Sequence, residues 1–350
     1  MVISNRLKHW YLQNKRNLPW RETREPYHIW LSEIILQQTR IEQGLPYYFE
    51  FIKAYPNVFD LANASLEEVL KLWQGLGYYS RARNLHETAK YVAFELNGVF
   101  PDSYKGLLKL KGVGDYTASA IASFCYHEPV AVVDGNVYRV LSRIFEVDTP
   151  INSSSGIKEF KKLAQDLLDK KDPATYNQAI MEFGALHCKP QNPKCETCPF
   201  NDKCLALKND KVRSLPVKLK KAKIRKRYFN YLVFNFNNKK TVLEQRSGKG
   251  IWNGLYQFPL VESDKLVGEE DLIALEKFKE IIPETNFELQ LFNEVPVIHK
   301  LSHQHLYTRF WLITTEEIKE NPVNLQDVIT YPVPVLIENF LNEYLVDGYK

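Results

Sequence analysis

Four of the five cysteines in this 350-residue chain fall within one short segment, as Cys188-x6-Cys195-x2-Cys198-x5-Cys204. Prolines at 190, 193 and 199 shape tight loops within these 17 residues. Four soft ligands at such spacing suit either a structural zinc or an iron–sulfur cluster, and zinc is the more frequent answer to the ligand count alone. The N-terminal stretch MVISNRLKHWYLQNKRNLPW lacks an apolar signal-peptide core, and no run approaches the ~20 apolar residues a bilayer requires. An intracellular, reducing location is therefore expected, which favours a metal centre over disulfides. Cys125 stands apart in ASAIASFCYH and reads as a small buried hydrophobe.

The hydrophobic period changes once along the chain. Up to residue 207 apolar residues recur with helical spacing, as in Trp30, Ile34 and Ile35 or Val69, Leu70 and Trp73. Residues 1–207 are expected to be nearly all helix. Residues 208–227 hold ten Lys or Arg and one acid, Asp210, the composition of a solvated basic linker able to lie along phosphates or of a plain tether. This local charge matters because the formal net charge is only +4. Beyond it, alternating runs predict strands: YFNYLVFNF, an Asn237-Asn238 turn and TVLEQR, then EVPVIHKLS paired with HLYTRFWLIT. PVLIENFLNEYL predicts a closing helix, so 228–350 is expected to form a second, α+β domain.

Two motifs within the helical region carry chemistry. Leu110-Lys-Gly112-Val113-Gly114-Asp-Tyr-Thr117 lies between SYKGLLKL and TASAIASF, where paired glycines let backbone N–H groups approach a phosphate and the next helix adds its dipole. This is a helix-hairpin-helix signature, although many G-V-G turns are plain helix caps. Some 20 residues on, AVVDGNVYRVLSR sets Asp134 at a Gly-Asn turn opening a helix, the position of an N-cap. Glu33, in IWLSEIILQQT, is flanked by Trp30, Ile34 and Leu36. An acid in apolar surroundings holds its proton, while an aspartate capped by amides stays ionised. Such a pair suits N-glycosidic cleavage, one carboxyl protonating the leaving base and the other stabilising the cationic sugar.

The strings LPWRETREPYHIWLSEIILQQT, LWQGLGYYSRARNL, LKGVGDYTASAIASF, VVDGNVYRVLSR, YNQAIMEFGALHC and the cysteine loop run in order through residues 1–207. Together they resemble the MutY family of adenine DNA glycosylases, which act on adenine opposite 8-oxoguanine. The resemblance implies a helix-hairpin-helix glycosylase fold with a 4Fe-4S cluster on Cys188, Cys195, Cys198 and Cys204. It implies that Glu33 is the general acid, that Asp134 stabilises or captures the oxocarbenium sugar, that Asn136 positions water or substrate, and that Tyr116 stands beside the aspartate. Gln38 and Tyr78 correspond to wedges entering the duplex as adenine leaves it, with Leu36 close by and Gly112, Val113 and Gly114 on the DNA backbone. Arg16, Trp20, Arg21 and Gln178 correspond to the adenine pocket, Gln178 standing where some members carry glutamate.

Two departures separate branches. The endonuclease III branch carries a Schiff-base lysine two residues after the second hairpin glycine, where this chain has Tyr116, so a monofunctional enzyme is implied. In the second domain RSGKGIWNGLYQFP resembles MutT-type (Nudix-like) sequences, and Leu301-Ser302-His303 stands where the family reads 8-oxoguanine with Phe-Ser-His. Absence of the G-x5-E-x7-R-E-x2-E-E box implies recognition without nucleotide hydrolysis. The expected partner is double-stranded DNA carrying A:8-oxoguanine or A:G mispairs, bound by a monomer with no membrane. A mismatch glycosylase of the endonuclease III branch, a non-catalytic DNA-binding protein and a nucleotide hydrolase are the alternatives, disfavoured by Tyr116, by the Glu33/Asp134 pair and by the missing metal-binding acids respectively.

Overall fold

A computed structural model describes residues 2–220, 224–236, 240–282, 286–315 and 322–347. The chain divides into two compact units that do not follow its order: residues 1–63 with 84–220, and residues 64–83 with 221–350. The segment 64–83, which helical periodicity groups with residues 1–207, thus belongs to the second unit.

The first unit is helical. Pro26 at the first turn opens the helix Pro26–Ile35, buried at Tyr27 and continuously from Ile29 to Ile35, with Glu33 as its one buried charge. In the helix Gly135–Phe145, Val137, Val140, Leu141 and Ile144 form one stripe that packs with Leu7, Phe160, Phe183 and Phe200. That helix starts where the Asp134 side chain accepts from the N–H groups of Asn136 and Val137, and stops at Glu146, whose left-handed φ of 55° ends the turn. The helices Tyr104–Leu107 and Asp115–Tyr126 enclose the hairpin. Gly112 has φ of 76°, and a Cβ there would lie 2.7 Å from Cβ of Asn84, so the turn needs glycine twice over.

Part of the basic stretch is packed. Leu215 is buried, its carbonyl accepts from Arg143 Nε at 3.2 Å, the Val217 carbonyl accepts from Ile151 N, and Lys211 pairs with Glu146 at 2.6 Å. Residues 208–220 are thus attached to the first unit through Leu215, Val217 and Lys211, while most of their side chains stay exposed.

In the second unit Ser65 and Glu68 form a complete capping box on the helix Leu66–Leu72. The strand Arg225–Asn235 runs parallel to Gln304–Thr314 and antiparallel to Leu260–Ser263; Glu288–Leu291 and Val297–Lys300 pair antiparallel with Gln304–Thr314. Leu232, Phe234, Trp311 and Ile313 pack with Leu272 and Phe278 of the helices Glu269–Ala274 and Glu276–Ile281. On the other face Tyr231 stacks on Phe310, which stacks on Phe340 of the closing helix Val335–Asp347 with centroids 4.0 Å apart. The hairpin 297–314 and the closing helix match the sequence reading. TVLEQR does not: beyond a Phe236–Lys240 bridge it forms two short strands, Lys240–Thr241 and Glu244–Gln245, paired with Val323–Asn324 and Tyr256–Gln257. On the side away from Gln304–Thr314 the long strand takes Leu260–Ser263 along Tyr228–Tyr231, so hairpin pairing is confined to its end. The expected Asn237-Asn238 turn lies outside the described residues.

Candidate active site, cluster loop and reading loop

Glu33, Tyr116, Asp134 and Asn136, named from sequence as catalytic, line one cavity of the first unit together with Arg16, Trp20, Arg21, Gln178 and Leu36. Glu33 is 7% exposed. Burial pushes its carboxyl up to about 7, aided by Asp134 and opposed by the Tyr116 hydroxyl and Arg21. The Tyr116 phenol is itself buried and held well above its ordinary 10, so it stays a hydrogen-bond donor.

Asp134 accepts three hydrogen bonds: Oδ1 from the backbone N of Asn136 at 2.9 Å and of Val137 at 2.7 Å, Oδ2 from Asn136 Nδ2 at 2.7 Å. Burial nevertheless places its carboxyl above the ordinary value, the three donors only offsetting that rise, where the sequence reading weighed the amides alone. Asn136 Oδ1 accepts from Arg139 Nη2 at 2.8 Å, and the same guanidinium donates to the carbonyls of Gly184 and Cys188. A Cβ on Gly184 would meet Asn136 Cβ at 2.6 Å, so that glycine lets the helix Pro173–Leu186 reach the aspartate–asparagine pair.

Two residues essential to this arrangement were not identified from sequence. Glu182, 1% exposed, takes Arg16 Nε at 2.9 Å and Nη2 at 2.6 Å, and Arg21 Nη1 at 3.0 Å and Nη2 at 2.9 Å. Burial alone would raise its carboxyl, but the two guanidiniums hold it at about 2. Arg139 is the other; its spacing of four from Arg143, on a helix led by Asp134, was the available signal. Gln178 accepts from the Tyr11 hydroxyl at 2.5 Å, and Trp20 packs edge-on to Tyr48.

The cavity shares Glu33, Leu36, Tyr116 and Asp134 with a groove also lined by Gln38, Gly112 and Gly114. Gln38 is exposed, with a left-handed φ of 59°. Val113 points inward at 5% exposure and its N–H goes to Leu110, so of the three hairpin residues it is the two glycines that line the groove. Tyr78 is in the other unit: it is 51% exposed, φ 49°, and its hydroxyl lies 2.8 Å from Ser302 Oγ. Leu301, Ser302 and His303 form the tip joining Val297–Lys300 to Gln304–Thr314, with Ser302 and His303 exposed. Arg225, Arg246, Lys249 and Lys300 line the same cleft as Tyr78 and this tip.

None of the five cysteines forms a disulfide, and Cys188, Cys195, Cys198 and Cys204 line a single cavity. Arg143 Nη1 lies 3.4 Å from Cys188 Sγ, and burial pushes the Cys198 thiol up to about 12, so a thiolate there calls for the positive charge of a metal centre. Among the described residues no three His, Cys, Asp or Glu converge on one ion position. Four thiols lining one cavity beside Arg143 are a donor set that a thiolate-ligated metal centre would use.

Residues 31–168 match the HhH-GPD superfamily base excision DNA repair protein model, 188–204 the iron-sulfur binding domain of endonuclease III, and 230–343 the NUDIX domain. The iron–sulfur match agrees with the thiol cavity. The adenine DNA glycosylase of Buchnera aphidicola subsp. Baizongia pistaciae is 36% identical over 317 residues, 89% of this chain and 86% of its own length. The Homo sapiens adenine DNA glycosylase is 45% identical over 206 residues, 56% of this chain and 38% of its own. A solved thermostable thymine-DNA glycosylase superposes with TM-score 0.55 at 30% identity, covering 59% of this chain and 96% of that one. No helix among the described residues is long and apolar enough to cross a membrane. With its glycosylase fold, iron–sulfur loop and NUDIX-type unit, the chain belongs to the MutY family of adenine DNA glycosylases and is a DNA N-glycosylase of base excision repair.

Proposed function

We propose that the enzyme removes adenine mispaired with 8-oxoguanine or G by acid-assisted cleavage of the N-glycosidic bond, without cutting the strand. The observation carrying this is the unlike pair of carboxyls in one cavity. Burial raises both carboxyls, but Glu33, held at about 7, keeps a proton available at neutral pH, whereas at Asp134 three N–H bonds oppose the rise and favour the anion. Glu33 donates its proton to the adenine ring, and Tyr116 orients that carboxyl. As the bond to the base breaks, the Asp134 carboxylate stabilises or captures the oxocarbenium sugar, and water then adds at C1′, giving a proton to Asp134 or solvent and leaving the abasic sugar, with Asn136 holding the geometry. Arg16, Trp20, Arg21 and Gln178 frame the extruded base, and Glu182 fixes the two arginines. Among the described residues, the position two after Gly114 holds Tyr116 and no lysine lines cavity or groove, which supports hydrolysis without a Schiff base.

Gln38 with Leu36, and separately Tyr78, act as wedges, while Gly112 and Gly114 take backbone phosphate. Ser302 and His303 read 8-oxoguanine, supported by their exposure at a hairpin tip beside Tyr78 in a cationic cleft. Leu301 fills the place of an intercalating aromatic with a smaller apolar side chain. Cys188, Cys195, Cys198 and Cys204 would hold a 4Fe-4S cluster, which would supply the positive charge their thiolates need, on a loop that Arg139 and Arg143 tie down through the carbonyls of Cys188 and Lys189. Adenine release from duplexes with A opposite 8-oxoguanine, G or T tests the function. Free adenine from the first two with unbroken strands is expected; equal release opposite T, or prompt strand cleavage, would contradict it.

A further inference from the structure

Three side chains from separate helices meet beside the hairpin. Asp115 opens the helix Asp115–Tyr126 immediately after Gly114 and lines the groove with both hairpin glycines. The Tyr104 hydroxyl, from the helix Tyr104–Leu107, donates to its carboxylate. Lys161, from the helix Ser154–Leu167, donates to Tyr104 Oη at 2.9 Å and forms an ion pair with Asp115, its Nζ lying 5.0 Å from the Tyr104 ring centroid. The Lys161 and Asp115 side chains remain 39% and 48% exposed, so this pair adds little to stability. Its location gives it another use. A carboxylate on the face where backbone N–H groups receive a phosphate repels that phosphate, whereas a paired one does not.

We propose that Lys161 is a positioning residue for DNA: it neutralises Asp115 so that the hairpin seats a phosphate, and Tyr104 fixes the geometry of the pair. Lys161 need not touch the nucleic acid itself. The inference rests on the hairpin being the phosphate contact.

The test uses the full-length, cluster-loaded protein and a fluorescently labelled, fully paired DNA duplex at one fixed low salt concentration, with affinity read by anisotropy. Lys161→Met is expected to bind about three- to tenfold more weakly, because it leaves an unpaired carboxylate facing the phosphate. Asp115→Asn binds as well as the parent or more tightly. The double variant Lys161→Met/Asp115→Asn returns to within about twofold of the parent, since neither charge remains. A double variant as weak as Lys161→Met would overturn the proposal and make Lys161 a direct phosphate contact. Asp115→Asn binding more weakly than the parent would also overturn it. Parental binding by all three variants would overturn the hairpin reading along with it.

Discussion

Replacing Glu182 with glutamine removes one charge and almost no volume, and the structure sets the size of the effect. The carboxyl is held at about 2 against an ordinary 4.5, a difference that corresponds to about 3 kcal/mol of folded-state stability. Removing one partner of a buried ion pair costs a comparable ~3–5 kcal/mol, and here Arg16 and Arg21 are both left without their anion. Because folding depresses this pKa, the stabilisation is complete above the unfolded value and is lost as pH falls toward about 2. Glutamine mimics the protonated acid at every pH. Urea titrations followed by a probe in the helical unit should therefore show Glu182→Gln less stable by about 3 kcal/mol at neutral pH, the gap narrowing as pH drops below ~4.5. Adenine excision should fall as well, since the released guanidiniums no longer frame the cavity. A variant within about 0.5 kcal/mol of the parent at neutral pH, with unchanged excision, would refute the claim that Glu182 organises the pocket.

Three further outcomes are expected. Gly184→Ala puts a methyl group 2.6 Å from Asn136 Cβ, so it should displace the asparagine and lower single-turnover excision at least about tenfold, with the overpacking costing about 1–3 kcal/mol of stability. The Ser302→Ala/His303→Ala double variant should lose roughly ten- to a hundredfold of the preference for A opposite 8-oxoguanine over A opposite G, measured as binding and single-turnover rate on both duplexes. Anaerobically purified protein should contain about four irons and absorb broadly near ~400 nm; stoichiometric zinc without iron would contradict the cluster assignment.

Local chemistry was legible in the sequence wherever one short segment carried it. The four cysteines, the Gly112–Gly114 turn, the Asp134 cap and the acid among large apolar residues at Glu33 each need only their neighbours to be recognised. Long-range pairings were not. Glu182 is over 160 residues from its partners Arg16 and Arg21, and in MEFGALHC it looks like any polar residue of an amphipathic helix. Two arginines assigned to one uncharged-base pocket were the signal that a buried anion was needed. The parallel pairing of Arg225–Asn235 with Gln304–Thr314 was equally hidden, because alternation specifies a strand but not its neighbour. The attachment points of the basic stretch were hidden for another reason: its charge count masked Leu215 and Val217, which tie it to the first unit.

The account rests on a protonated Glu33, and the single-turnover rate of adenine excision as a function of pH tests that directly. With the acid held at about 7, the parent should be flat just below that value and fall tenfold per pH unit above it, as the proton is lost, with a second fall in acid where the Asp134 carboxylate protonates. Glu33→Gln should bind the same duplex and excise at a rate that is far lower and lacks this step. A Glu33→Gln enzyme that retains the parental rate, or keeps the same fall near pH 7, would contradict the assignment.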